Sequence, residues 1–270
     1  MHINLEGKVA VVTGAGRGIG RDLIRRFNAE GVSTVALDVN EADLAALGEE
    51  LRSSDIPSLQ LRTDVTDAAS LRTSVDAVIA EFGRIDILVN NAGVTATGPI
   101  DLLSEEDWRR CHDVNLTGTF LASKAVIPTM KAQRWGRIIN ASSFAAIIPS
   151  VAHAAYASSK AAVVHFSRAL AGELGPWDIT VNAYAPGMVP TTLNRFTERS
   201  RSEQDTLLNT LTLRRWGSSE DIGNVVCFLA SEQAGYITGT LIDVSGGKLA
   251  TQVPSVAYDY AASEDTSMII

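Results

Sequence analysis

Lys8-Val-Ala-Val-Val-Thr13-Gly14-Ala-Gly16-Arg17-Gly18-Ile19-Gly20 decides the fold of this chain. The segment opens on an apolar run, the pattern of a strand covered on both faces. Four glycines in seven residues follow, then a helical pattern from Arg21 to Glu30 that stops at Gly31. A strand, a glycine turn and a helix in that order bring backbone N–H groups and a helix N-terminus to one point. An anion such as a pyrophosphate is favoured there. The spacing is Gly14-x-x-x-Gly18-x-Gly20 with an added Gly16, not the commoner Gly-x-Gly-x-x-Gly. No Gly-Lys-Ser/Thr follows, so the turn is not a P-loop.

Outward from this turn the chain alternates. A second strand, Ser33 to Leu37, ends in Asp38, about twenty residues past the glycines. A carboxylate at that point can accept hydrogen bonds from both adenosine ribose hydroxyls, and it would repel a 2′-phosphate. Asp38 therefore favours NAD. Arg17 leaves NADP possible, because its guanidinium could reach a 2′-phosphate, although it can also turn to solvent or pair with Asp38. Glu41 to Ser53 reads as a helix, and Ser58 to Arg62 as a short strand leading to Asp64-Val65. Asp67 caps a helix over Ala68 to Phe82. Asp86-Ile-Leu-Val89 is a buried strand that runs into Asn90-Asn91-Ala92-Gly93. Polar groups and a glycine at a strand's carboxyl end lie where open α/β sheets take ligands. A long helical region opens at Ser104 and holds Asn115, which either bonds a neighbouring backbone or holds a water. The strands Arg137–Ala141, Ile179–Ala183 and Thr240–Val244, with helices at Ala154–Leu174 and Ser218–Ser231, complete the pattern. Seven strands alternating with helices predict one doubly wound, Rossmann-type parallel sheet flanked by helices.

The chemistry is expected between Ser142 and Lys160. Tyr156-Ala-Ser-Ser-Lys160 lies on the helix from about Ala154, and four residues return a side chain to the same face. Lys160 therefore sits one turn from Tyr156. A free phenol, with a pKa of about 10, is a weak base near neutral pH. A neighbouring cation is expected to lower that pKa and make Tyr156 a general acid/base at an alcohol or carbonyl oxygen. Ser142 and Ser143 end the preceding strand, where a hydroxyl can bond the same oxygen.

The chain has 31 acidic and 23 basic residues, a net charge of −8, which argues against nucleic-acid binding. No apolar run is long enough to cross a bilayer, and the first residues lack the pattern of a signal peptide. Cys111 and Cys227 read as small buried residues rather than a disulfide. A soluble cytoplasmic protein is expected. No His/Cys/Asp cluster suggests a metal, and none is expected.

With these residues in hand, the chain resembles the soluble branch of the short-chain dehydrogenase/reductase family, from about Leu5 to Gly247. The matching motifs are the cofactor turn Thr13–Gly20, Asp64-Val65, Asn90-Asn-Ala-Gly93, the tetrad Asn115, Ser143, Tyr156 and Lys160, and Pro186-Gly187 with Thr191. The family's spacing selects Ser143 over Ser142. The resemblance implies cofactor contacts at Gly14, Arg17, Gly18, Ile19, Gly20, Asp38, Asp64, Val65, Asn91, Ala92 and Gly93. It implies further contacts at Tyr156, Lys160, Pro186, Gly187, Val189 and Thr191. Tyr156 would exchange the proton, Lys160 would lower its pKa and bind nicotinamide ribose, and Ser143 would orient the substrate oxygen. Asn115 would hold a water linking Lys160 to solvent. His153 and Tyr184 are candidate substrate contacts, Tyr184 because a small aliphatic is common at its position.

These readings amount to an NAD-dependent oxidoreductase that interconverts a secondary alcohol and a ketone, with a slight preference for a sugar or polyol. The alternative is an NADPH-dependent reductase of a 3-oxoacyl thioester or another ketone. From another class, a non-catalytic NAD-binding regulatory or scaffold protein would have no physical reason to keep Tyr156, Lys160 and Ser143 together. The resemblance also implies a homotetramer. Residues 1–247 are expected to form one domain, with a substrate lid at about 188–215. The extension 248–270, with Val253, Val256, Tyr258, Tyr260 and the terminal Met268-Ile-Ile270, is rich in apolar groups for a free tail. It is expected to be ordered and to cross onto a neighbouring subunit.

Overall fold

The computed structural model describes residues 3–191, 194, 196–248 and 250–262. The strands are β1 (Val9–Thr13), β2 (Ser33–Asp38), β3 (Ser58–Arg62), β4 (Ile87–Asn90), β5 (Gly136–Ala141), β6 (Ile179–Pro186) and β7 (Leu241–Val244). They form one sheet in the order β3-β2-β1-β4-β5-β6-β7, parallel throughout. Between them lie the helices α1 (Gly18–Ala29), α2 (Glu41–Leu51), α3 (Ala68–Phe82), α4 (Glu105–His112), α5 (Gly118–Gln133), α6 (Ala154–Leu174), α7 (Arg201–Leu208) and α8 (Ser219–Ala230). A further helix, α9 (Ser255–Ala262), follows β7.

The apolar run of β1 is explained by its two faces. Ala10 and Val12 pack on one side with Leu23, Ile24 and Phe27 of α1 and Val226 of α8. Val9 and Val11 pack on the other with Leu71 of α3, Met130 of α5 and Leu170 of α6. Helices thus cover both faces, and each fully buried large aliphatic contributes about 1.5–3 kcal/mol. Asp86, fully buried before β4, accepts from Val9 N at 2.9 Å and from the Arg84 guanidinium at 2.7 and 2.8 Å. This ties β1 to the start of β4. The strand order reverses at these two strands, so a crevice opens beyond Thr13 and Asn90 at their carboxyl ends.

Three elements differ from the sequence reading. First, α1 starts at Gly18 rather than Arg21, because Arg17 is extended, at φ −152°, and the turn feeds directly into the helix. Second, the helical region after Ser104 is interrupted: residues Asp113–Thr117 form a π-helical turn between α4 and α5. Asn115 lies in this turn with its amide bonded to Val94, a partner outside the helix. Third, α9 of the tail contacts its own chain, a contact the sequence reading did not expect. In α9 the Tyr258 hydroxyl donates to Thr212 O, in the same chain's lid, at 2.8 Å. The segment expected as a lid holds a 3₁₀ turn at Phe196–Glu198 and α7. Met268-Ile-Ile270 and lid residues 192, 193 and 195 lie outside the described residues.

Candidate active site

A cleft of about 1190 Å³ runs over the carboxyl ends of the strands, from Asp38 past the glycine turn to Tyr156 and the lid. The turn is built by close approach. A Cβ on Gly20 would stand 2.2 Å from Gly14 O and 2.5 Å from Asn91 Nδ2, and one on Gly14 2.7 Å from Ala92 Cα. Gly18 differs: its φ is +56°, and a Cβ there would meet nothing nearer than Thr191, at 4.0 Å. The space between Gly18 and Thr191, at the start of α1, is therefore an open cradle lined by backbone, with Ile19 beside it in the cleft wall. Its shape and the helix N-terminus fit a pyrophosphate. Asn91 locks the turn from behind, donating from Nδ2 to Thr13 O and Gly14 O at 3.1 Å each. Thr13 Oγ1 accepts from the N–H groups of Asn91 and Ala92.

Asp38 is fixed by the same turn. Its Oδ2 accepts from Gly16 N at 2.9 Å and its Oδ1 from Asn40 N at 3.0 Å. Arg17 is exposed. The carboxylate is thus aimed by backbone amides. Asp64 and Val65 form the neighbouring wall. Asp64 Oδ1 accepts from the N–H and the hydroxyl of Thr66, and Val65 packs where a Cβ on Gly118 would stand 2.8 Å away.

At the other end, Lys160 is buried, and its Nζ donates to Ala141 O at 2.8 Å and lies 5.9 Å from the centroid of the Tyr156 ring. Ser142 and Ser143 point differently. The Ser142 hydroxyl turns inward to Lys160 O at 3.0 Å, whereas Ser143 stands at the cleft and hydrogen-bonds Tyr156. Burial pushes the Tyr156 phenol above its ordinary value, and the Ser143 hydrogen bond only partly offsets this. Burial is the dominant influence on this phenol. The Lys160 ammonium donates to a backbone carbonyl, and its own burial holds it down to about 8.

Asn115 is buried beside this pair. Its Oδ1 accepts from Val94 N at 2.8 Å, and its Nδ2 donates to Val94 O at 3.0 Å and Ser159 Oγ at 2.9 Å. Of its two expected roles, the bond to a neighbouring backbone is present. A Cβ on Gly93 would lie 3.3 Å from Asn115 Oδ1 and 3.4 Å from Lys160 Nζ, so both groups border one small space. Pro186 and Gly187 follow β6. A Cβ on Gly187 would meet Ser245 Cα at 2.5 Å, and Val189 and Thr191 continue along the cleft, held by Asn194, whose side chain bonds Val189 O and Thr191 N.

The two candidate substrate contacts part here. His153 is half-buried in the cleft wall, with Nδ1 3.0 Å from Val151 O. Tyr184 borders the cleft but has no exposed surface. It packs in the core with Ile139 and Val189, its hydroxyl pointing at Asn91 Oδ1, 3.5 Å away. Tyr184 thus belongs to the cleft lining and to the core at once, with its hydroxyl toward Asn91. Reading the sequence missed Asn194, whose role depends on loop geometry, and the side of α4 facing the cleft. Glu106, Arg110 and Asp113 line it. Their i, i+4, i+7 spacing was the available signal.

Residues 8–202 match the family model for short chain dehydrogenase. The 3-oxoacyl-[acyl-carrier-protein] reductase FabG of Escherichia coli is 38% identical over 245 residues, 91% of this chain and 98% of that protein. A solved gluconate 5-dehydrogenase from Burkholderia cenocepacia, in complex with NADP and tartrate, superposes with a TM-score of 0.88 at 33% identity, covering 92% of this chain and 98% of that one. An NAD+-bound xylitol dehydrogenase does so with a TM-score of 0.85 at 31% identity, over 90% and 99% of the two chains. With motif, sheet and overall sequence in agreement, the chain belongs to the short-chain dehydrogenase/reductase family, oxidoreductases acting on CH–OH or carbonyl groups.

Proposed function

We propose that this protein is an NAD-dependent oxidoreductase that interconverts a secondary alcohol and a ketone, with Tyr156 as the general acid/base. The observation that carries this is the meeting of Tyr156, Ser143 and Lys160 in the same cleft as the Gly18–Thr191 cradle and the Asp38 carboxylate. When bound, the nicotinamide cofactor supplies the carrier of the hydride. The glycine turn would hold its pyrophosphate, Asp38 its adenosine ribose, and Asp64 and Val65 its adenine. Pro186, Gly187, Val189 and Thr191 would hold the nicotinamide end. In the direction of oxidation, Ser143 holds the substrate oxygen while the Tyr156 oxygen takes its proton. In reduction, Tyr156 gives that proton back. Lys160 sits where it can bind a ribose hydroxyl and stabilise the phenolate. A positive nicotinamide ring would add to that stabilisation. The space shared by Asn115 Oδ1 and Lys160 Nζ fits a water that passes the proton outward.

The test is Tyr156→Phe, which deletes only the hydroxyl. Turnover of an alcohol or ketone panel, followed by the absorbance of reduced cofactor, falls by about 10²–10⁴-fold. NAD binding, followed by fluorescence titration, stays near the parent value. Activity within twofold of the parent would overturn the assignment.

For the carbon skeleton, names of similar proteins point both to polyhydroxy substrates and to 3-oxoacyl groups. The cleft mouth favours the second over the sugar or polyol. Phe144, Ala145 and Met188 line the substrate end, and the Ser143–His153 loop carries Ile147, Ile148 and Val151 outward as exposed aliphatics. Gly98 N bonds Ala152 O at 2.9 Å, which sets the loop bearing exposed Ile100 and Leu102 beside them. Such a rim suits a ketone with an apolar arm, as in a 3-oxoacyl thioester. In a series of 3-ketones of growing chain length, kcat/KM rises by up to about fourfold per added methylene. Higher kcat/KM for xylitol or gluconate than for every member of the series would restore the polyol reading.

We place the enzyme in the cytoplasm as a homotetramer. No helix among the described residues is long and apolar enough to cross a membrane.

A further inference from the structure

The chain that follows β7 does more than end the molecule. The outgoing leg of the lid, Thr210 to Arg214, touches it at Thr210, Thr212, Leu213 and Arg214. Leu213 N donates to Gly246 O at 3.0 Å, and Thr212 Oγ1 donates to Gly247 O at 2.9 Å. Lys248 Nζ donates to Thr210 Oγ1 at 2.7 Å, and the Tyr258 hydroxyl donates to Thr212 O at 2.8 Å. The Arg214 guanidinium stands 5.6 Å over the Tyr258 ring. Gly247 has a φ of +78°, and a Cβ there would lie 2.6 Å from the Thr212 side chain, so the two segments touch backbone to side chain. Arg214 is held at a φ of +39°, a left-handed backbone that a non-glycine residue keeps only when its surroundings impose it.

This leg controls a wall of the site. Leu207, three residues before Thr210, lines the cleft, as does Phe196, which stacks on Trp216 at 5.5 Å and 9°. Lys248 reaches the opposite wall as well: its Nζ lies 5.2 Å over the ring of Phe144, next to Ser143. One lysine therefore bridges the lid and the loop that carries the substrate-side serine.

We propose that the segment from Gly246 to Tyr258 is a strap that holds the lid against the substrate end of the cleft. Tyr258 and Lys248 are its positioning residues, acting through Thr212 and Thr210 on Leu207. Among the described residues, the glycine turn and Asp38 have no bond to the strap, so it acts on substrate and product rather than on the resting cofactor site. The kinetic side of this inference rests on the oxidoreductase reading above. Its structural side does not.

The experiment compares the full-length parent with Tyr258→Phe, which removes one hydroxyl, and Lys248→Met, which keeps the stem over Phe144 and loses the bond to Thr210. Hydrogen–deuterium exchange of residues 207–214 speeds up by about two- to tenfold in each, the factor expected for one hydrogen bond, while exchange in β1, β4 and β5 stays at parent rates. With the best ketone of the chain-length series, KM rises by a similar factor. By contrast kcat holds or rises, since lid opening that limits product release becomes easier. NAD affinity measured without substrate does not move. Parent-like exchange over 207–214 in both variants overturns the strap, and so does equal acceleration in the central strands, which would mean general loosening. If the parent turns over no alcohol or ketone, the oxidoreductase reading falls while the exchange measurement still decides the strap.

Discussion

Lys160 shows what one residue's surroundings can do. Its ammonium is buried, and burial lowers its pKa from 10.5 to about 8. A depressed lysine binds fewer protons folded than unfolded across that window, so the free protein gains stability from this group as pH rises from about 8 to about 10.5. Tyrosines raised by burial pull the other way, so the informative quantity is a difference. Urea unfolding of the parent and Lys160→Met at pH 7.5 and 9.5 shows the parent gaining on the variant by up to about 2 kcal/mol over that interval. A constant gap between them would mean that Lys160 titrates normally. Asp38 carries a second prediction. Asp38→Ala removes the carboxylate proposed to meet the ribose and the acceptor of Gly16 N–H. NAD affinity therefore falls, and the ratio of NADP to NAD use rises by about 5- to 150-fold, from a loss of about 1–3 kcal/mol. A parent that already prefers NADP would show that exposed Arg17 outweighs Asp38.

At the scale of elements, the π turn between α4 and α5 is the informative one. It places Asn115 inward, where one amide joins Val94, Ser159 and Cys111 and so links α4 and α6 to the strand-end loop after β4. Asn115→Ala leaves Val94 N–H without this acceptor. Stability in urea falls by about 1–3 kcal/mol. In the same variant kcat drops more than NAD affinity, because the bonds of the glycine turn to Asn91 are untouched. Equal losses in both would make Asn115 a packing residue only. The other elements of the site behave as their residues predict. Ala68–Phe82 and Ala154–Leu174 form with the limits read from the sequence, the first capped by Asp67 through Ala69 N. The glycine turn fails as a boundary marker only because its last residues are already helical.

At the scale of the whole molecule, two exposed surfaces among the described residues bear on assembly. Among the described residues the edge strand β7 pairs with β6 alone, and Tyr236 near it is fully exposed. On α5, Phe120 is 42% exposed, edge-on to Phe166 of α6 at 6.3 Å. Aromatic groups on exposed helix faces are typical anchors of subunit contacts. Light scattering at micromolar concentration gives the mass of a tetramer, and Phe120→Glu gives a smaller species. A monomeric parent would contradict this assembly. The tail bears on the same scale. Its described part contacts its own lid through Tyr258.

What the sequence determined alone is what short-range periodicity can carry. The apolar strands, the glycine turn, Asp38 at a strand end and the one-turn pairing of Tyr156 with Lys160 all follow from residues within a few positions of each other. Tertiary structure decided what depends on distant partners and on burial. Lys160 meets Ala141 across 19 residues, Asn115 meets Val94 across 21, and Tyr258 meets Thr212 across 46. None of these separations has a period to read. The rise of the Tyr156 pKa belongs to the same group, because desolvation comes from the packing of whole segments around a side chain. So does the burial of Tyr184, which lines the cleft and yet packs into the core.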